Sequence, residues 1–279
     1  PSGSRRIQKE ETTKRHKDKE KTRNPRGSWR RKKDKKKIKR QNKKTKSKRT
    51  ILAGAVGGKK TRSQQKQKDK NGKSFCQLLK DNNIHVGIKV DAGAKNLSGS
   101  NEEKITEGLD NLNGRMQEYA QLGATFAKWR AVIEITKTNP SNYCIELNSH
   151  ALARYAKICQ HNNIVPIVEP EVLMDGDHDI QKCYEVTSAT LDNLFKNLKF
   201  QNVYLEGILL KPNMVIAGLK CAKQATVNEV AEKTIDCLKN NVPEEVPGVV
   251  FLSGGQSDQK ATEHLNEMNK IQGLSWKLS

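Results

Sequence analysis

The sequence predicts an α/β chain: about five βα units of a (β/α)8 barrel with a parallel sheet, preceded by a basic low-complexity tail. Three observations carry this. The composition changes abruptly near residue 68. Beyond it, short runs rich in Val, Ile and Leu alternate with amphipathic stretches of helical period. The ends of those runs also recur at near-constant intervals: Lys89 to Lys128 is 39 residues, Lys128 to Glu169 is 41, Glu169 to Lys211 is 42, and Lys211 to Ser253 is 42. Alternating strands and helices give parallel strands with right-handed crossovers. Equivalent strand ends at one spacing suit a barrel better than an open sheet.

Charge divides the chain in the same place. The 279 residues carry a net charge of +21, yet residues 1–70 hold 30 basic and 6 acidic side chains, and residues 71–279 hold 22 and 25. Residues 1–67 are dominated by Lys, Arg, Gln, Thr, Ser and Asn, too polar to offset their conformational entropy by folding, so this segment is expected to be disordered. The one apolar patch there, Ile51 to Gly58, is glycine-rich and reads as a loop or weak strand. Lys43 to Arg49 matches nuclear-localisation or polyanion-binding patches. Nucleic acid is the less favoured partner, because lone Trp29 offers no series of stacking platforms.

From residue 68 the elements follow in order. A short helix lies around Phe75–Leu79, and Ile84–Asp91 is a strand. Ser100-Asn-Glu-Glu103 reads as a capping box for a helix reaching Gln121, with Ile105, Leu109, Leu112 and Met116 on its apolar face. Thr125–Ile135 is the next strand, followed by a helix opened by Asn139-Pro-Ser141. Ile164–Glu171 is a strand, and a helix through Cys183, Val186, Leu191 and Leu198 follows it. Val203–Lys211 reads as one buried strand ending in lysine. Thr226-Val-Asn-Glu229 caps a helix, Gly248–Gly255 is a strand, and a last helix runs from Ser257 to about Ile271. Trp276–Ser279 enters another strand. The six cysteines lack zinc spacing and read as small buried residues. No stretch has the apolar length of a membrane span, and the expected setting is the cytoplasm with no membrane contact.

Side chains two apart on a strand share a face. Lys89 with Asp91, Lys128 with Arg130, and Glu169 with Glu171 each lie at a strand's carboxyl end, where a barrel gathers its reactive groups. A lysine such as Lys211, at the rim of an apolar wall, loses hydration when charged, which favours the neutral amine that attacks a carbonyl. Lys128 beside it would add like-charge repulsion. Condensation with a ketone gives a protonated imine, an electron sink that lets the neighbouring carbon lose a proton or a carbon–carbon bond. Glu169 is the choice for moving protons, and Glu171 for orienting the lysines. Ser253-Gly-Gly255 can close backbone N–H groups on a phosphate, while Lys89, Lys128 and Arg130 keep the mouth cationic. The residues give no metal site.

The chain resembles the class I, Schiff-base fructose-bisphosphate aldolases. The matching motifs are Val86–Asp91, Phe126–Val132, Val165–Glu171, Val203–Val215 and Pro247–Gln256, and the likeness covers roughly Lys68 to Ser279. It implies a TIM barrel in which Lys211 forms the imine and Glu169 accepts the proton. By the same likeness Lys128, Ser253, Gly254 and Gly255 bind substrate and its phosphate, and Lys89 and Arg130 line the other phosphate end. The family cleaves fructose 1,6-bisphosphate in glycolysis, without metal or other cofactor, usually as a homotetramer.

The chain departs from that pattern at both ends. The basic segment stands where the family's first two strands belong. Ile51-Leu-Ala53 echoes the first strand's opening but lacks the aspartate expected beyond it, and it lies too close to Lys89. The eighth strand with its phosphate-binding arginine, and the C-terminal tyrosine, do not appear before Ser279. The expectation is a partial barrel of residues 68–279 with open sheet edges and weak or no turnover. The alternatives are a non-catalytic aldolase-like protein or fragment, and a polyanion-binding fusion acting through the tail.

Overall fold

The computed structural model describes residues 68–100 and 102–279, together with the backbone of Ile51–Ala53. All of these belong to one unit, Arg49–Ser279. The basic tail and its expected disorder lie outside the described residues.

Among the described residues, seven strands form one parallel sheet in the order β1-β2-β5-β6-β7-β8-β9. They are β1 (Ile51–Ala53), β2 (Val86–Lys89), β5 (Phe126–Ile133), β6 (Val165–Val172), β7 (Leu209–Leu210), β8 (Gly248–Val249) and β9 (Lys277–Leu278). The order follows the chain, as βα units require. The sheet thus extends past the five expected units by one short strand at each end, and β1 and β9 are its edges among the described residues. The six α-helices there are α1 (Phe75–Asp81), α2 (Leu112–Gln121), α3 (Asn142–His161), α4 (Ile180–Phe200), α5 (Val227–Asn241) and α6 (Asp258–Met268). None is long and apolar enough to cross a membrane.

Strand alternation sets the two faces of the sheet. On β5, Trp129 is fully buried and stacks on Tyr155 of α3, with ring centroids 5.5 Å apart. The Tyr155 hydroxyl donates to the Ile167 carbonyl on β6 at 3.3 Å. Odd and even positions of a strand oppose each other, so Lys128 and Arg130 point away from the helices. Gly87 on β2 lies beneath Phe126, where a Cβ would come within 2.0 Å of the ring. Helices α3 to α6 start on hydroxyl or carboxylate caps: Ser141 for α3, Asp179 for α4, Thr226 for α5 and Ser257 for α6. Burial pushes the Cys144 thiol up to about 11 and that of Cys237 to about 12, as packing residues require.

Two expectations are corrected. Ser100–Glu103 does not open a helix to Gln121. Gly93–Asn96 (β3) and Lys104–Glu107 (β4) form an antiparallel hairpin, and α2 begins only at Leu112. The local reading failed because Glu103 serves a distant element. Its carboxylate accepts from Ser100 Oγ, and also from Ser141 N and Oγ, both at 2.6 Å, at the start of α3. Gly108, at φ +125°, then turns the chain. The second correction concerns Val203–Lys211, which is not one strand. A 3-10 turn, Leu205–Gly207, precedes the two-residue β7, and the expected strand Gly248–Gly255 is likewise reduced to Gly248–Val249.

Glu103 provides a stability test. Burial pushes its carboxyl up, but the hydrogen bonds from Ser100 and Ser141 outweigh burial and hold it below the usual carboxylate range. Its contribution is therefore present above the unfolded carboxylate pKa and is lost as pH falls through the lower folded value. Glu103→Gln should cost about 1–3 kcal/mol near neutrality, and urea unfolding should show that difference shrinking towards about pH 3. A difference independent of pH would contradict this role.

Candidate active site

Lys89 closes β2 as expected, but Lys128 and Arg130 lie inside β5 and Glu169 inside β6 and not at strand ends; pairing of neighbouring strands still brings most of the expected charged residues into contact. Lys89 of β2 is registered opposite Lys128 of β5, and Arg130 of β5 opposite Glu169 of β6. Lys211 follows β7, held by its own N–H donating to the Val168 carbonyl at 2.7 Å. Glu169 is only 2% exposed and has an ammonium on each oxygen. Lys211 Nζ lies 2.5 Å from Oε1, and Lys128 Nζ pairs with Oε2. Lys211 thus faces the carboxylate and not the outer helices.

Burial pulls Lys128 below the ordinary lysine value; Glu169 opposes this, and the positive charge of Lys211 adds to it. Arg130 pairs through Nε with Glu171, whose hydrogen bond holds the guanidinium above its ordinary value. Glu171 therefore supports the arginine, whereas the expected role was to orient lysines. Lys89 pairs with the buried Asp91. Ser253, Gly254 and Gly255 follow β8, whose chain runs beside that of Lys211: Val250 N donates to Leu210 O at 2.8 Å and Leu252 N to Pro212 O at 3.4 Å. Gly254 and Gly255 have φ of +61° and +98°, the turn geometry a phosphate loop uses. Among the described residues, no hydrogen bond joins Ser253 to Lys211. No cluster with metal-ligand character occurs among the described residues.

Several supporting residues escaped the sequence reading. Asn213 is buried; its Oδ1 accepts from Val172 N at 3.1 Å, and its Nδ2 donates to Thr187 Oγ1 at 3.0 Å. That ties the segment after Lys211 to the end of β6. A polar residue two places after a rim lysine was the available signal. Thr106 Oγ1 donates to the Arg130 carbonyl at 2.7 Å from the hairpin, which the sequence reading had made a helix.

A family model described as "Fructose-bisphosphate aldolase class-I" matches residues 39–279. The chain is 58% identical over 214 residues to a protein of Xanthomonas campestris pv. campestris named "Probable fructose-bisphosphate aldolase class 1". That match covers 77% of this chain and 64% of the relative. Human fructose-bisphosphate aldolase B is 50% identical over 76% of this chain and 59% of its own length. The crystal structure of Plasmodium falciparum aldolase superposes with a TM-score of 0.76 at 44% identity, over 82% of this chain and 64% of that one. The chain therefore spans less than two thirds of the length of these relatives.

The shared carboxylate makes an unequal prediction for its partners. Glu169→Leu leaves two ammonium groups unpaired in a buried site and should cost about 3–5 kcal/mol. Lys128→Met leaves Glu169 paired with Lys211 and should stay within about 1 kcal/mol of the parent. Because the folded pKa of Lys128 lies below the unfolded one, the unfolded chain holds more protons in that window, and stability rises with pH through it. The Glu169→Leu deficit should therefore narrow in urea unfolding as pH rises towards the ordinary lysine range. Equal losses for both variants would contradict the shared-carboxylate geometry.

Proposed function

Because the chain belongs to the class-I fructose-bisphosphate aldolase family, we propose that it forms a lysine imine with ketose phosphates and cleaves fructose 1,6-bisphosphate reversibly to dihydroxyacetone phosphate and glyceraldehyde 3-phosphate. The observation that carries this reading is the contact of Lys211 Nζ with Glu169 Oε1 at 2.5 Å, with Lys128 on the other oxygen.

The residues divide the work by their chemistry. In the proposed sequence Glu169 takes a proton from the Lys211 ammonium, and the freed amine adds to the C2 carbonyl of the ketose. The carbinolamine hydroxyl leaves as water after receiving a proton from Glu169, and the nitrogen lone pair closes the protonated imine. Glu169, a carboxylate again after that step, takes the C4 hydroxyl proton, the aldehyde is released, and the C3–C4 electron pair flows into the imine to give an enamine. Protonation at C3 and hydrolysis then return dihydroxyacetone phosphate and the free lysine. Lys128 and Arg130 hold charge opposite the developing oxyanions and the phosphate, with Glu171 fixing Arg130. Lys89 and Arg130 serve one phosphate, and Ser253, Gly254 and Gly255 the other.

The wider setting is part of the proposal. It comprises a glycolytic reaction without a metal ion, a cytoplasmic location, an assembly of four copies when the barrel is complete, and a domain starting near residue 68 behind the basic segment. A cytosolic Arabidopsis thaliana aldolase at 53% identity supports the location.

Borohydride trapping tests the chemistry. Incubation with dihydroxyacetone phosphate and reduction should add one reduced triose phosphate to the peptide carrying Lys211. Lys211→Met should abolish the adduct, and Glu169→Gln should slow its formation about 100-fold, within the range for a general acid–base. Folded protein that binds the sugar phosphate without any adduct would favour the non-catalytic reading.

A further inference from the structure

The ladder between β2 and β5 is registered only as far as Lys89 opposite Lys128, yet the charged rim continues beyond it. Two side chains take over. Arg115 Nη1 donates to the Val90 carbonyl at 3.0 Å, and Asp91 Oδ2 accepts from the Arg130 N–H at 3.3 Å. The other oxygen of Asp91 accepts from Gly93 N at 3.1 Å and pairs with the Lys89 ammonium. Asp91 is 3% exposed and thus fixed where it stands. One buried carboxylate therefore holds both cations assigned to the second phosphate, Lys89 through its charge and Arg130 through its backbone.

The Asp91 arrangement also permits exchange. When a phosphate draws Lys89 away, Asp91 keeps two backbone N–H donors, so the carboxylate is not left orphaned in the wall. Released entirely from Asp91, Lys89 would stand unpaired near Lys128 and Arg130, where like charge drives its flexible stem towards solvent.

We propose that Asp91 is the positioning residue for the second phosphate, setting Lys89 and Arg130 so that the chain distinguishes bisphosphate from monophosphate ligands. This inference rests on the proposed sugar-phosphate site. It requires only that site, and not imine formation.

Calorimetric titration of the full chain tests it, with fructose 1,6-bisphosphate and dihydroxyacetone phosphate as the two probes. Asp91→Asn keeps an acceptor for the backbone donors and removes the charge. It should weaken the bisphosphate about tenfold and leave the monophosphate within about twofold, the scale of one charged contact. Lys89→Met should give the same selective loss, and adding Asp91→Asn to it should weaken the bisphosphate less than the two single losses summed. Lys89→Met, a surface-rim change, carries the test if Asp91→Asn does not fold: equal weakening of both probes would overturn the proposal. Equal weakening, or none, by Asp91→Asn would overturn it as well. Selective loss in a chain that gives no borohydride adduct would sustain this inference while removing the imine reading.

Discussion

One buried carboxylate shared between two lysines is the constraint on which the site depends. Glu169 is almost wholly out of water, and an isolated carboxylate there would be strongly disfavoured. Two ammonium groups, one on each oxygen, make the burial tolerable. The same arrangement keeps Lys128 poorly hydrated and brings the Lys211 nitrogen within proton-transfer distance of a carboxylate. A site built only for stability would use apolar residues at these positions, since a buried ion pair is often no better than a hydrophobic replacement. The charged trio is therefore better explained by chemistry than by packing.

The trio exists because of strand geometry. Alternation on β5 sends Trp129 into the helices and Lys128 to the opposite face, and alternation on β6 does the same for Val168 and Glu169. Parallel pairing then sets these positions on adjacent strands beside each other. Where the ladder stops, side chains carry the order further: Asp91 and Thr106 hold the backbone of Arg130, and Asn213 holds that of Val172. Such supporting contacts keep a catalytic group in one pose without contacting substrate.

The sequence made the face-sharing pairs legible because a period of two needs no tertiary information. The shared face of Lys128 with Arg130, and of Glu169 with Glu171, followed from spacing alone, although Lys128, Arg130 and Glu169 lie inside β5 and β6 and not at their ends. It misled where a residue's partner lies far along the chain. Glu103 has the spacing of a capping box with Ser100, but its second partner, Ser141, is 38 positions away and draws it into a hairpin-to-helix contact. Val203–Lys211 misled for another reason, since its Leu and Ile content suits a strand equally well with or without the turn at Leu205–Gly207. The pairing of Arg130 with Glu171 was likewise hidden, because strand spacing gives the face and not the cross-strand partner.

The protonation state of Lys128 reports most directly on whether one carboxylate serves both lysines. Nuclear magnetic resonance titration of the lysine side chains, assigned with Lys128→Met, reads it in the native chain. The account predicts that Lys128 titrates below the ordinary lysine range, because burial outweighs Glu169, and lower still when Glu169 is replaced by Gln. A Lys128 that titrates as an ordinary solvated lysine and does not respond to Glu169→Gln would contradict it.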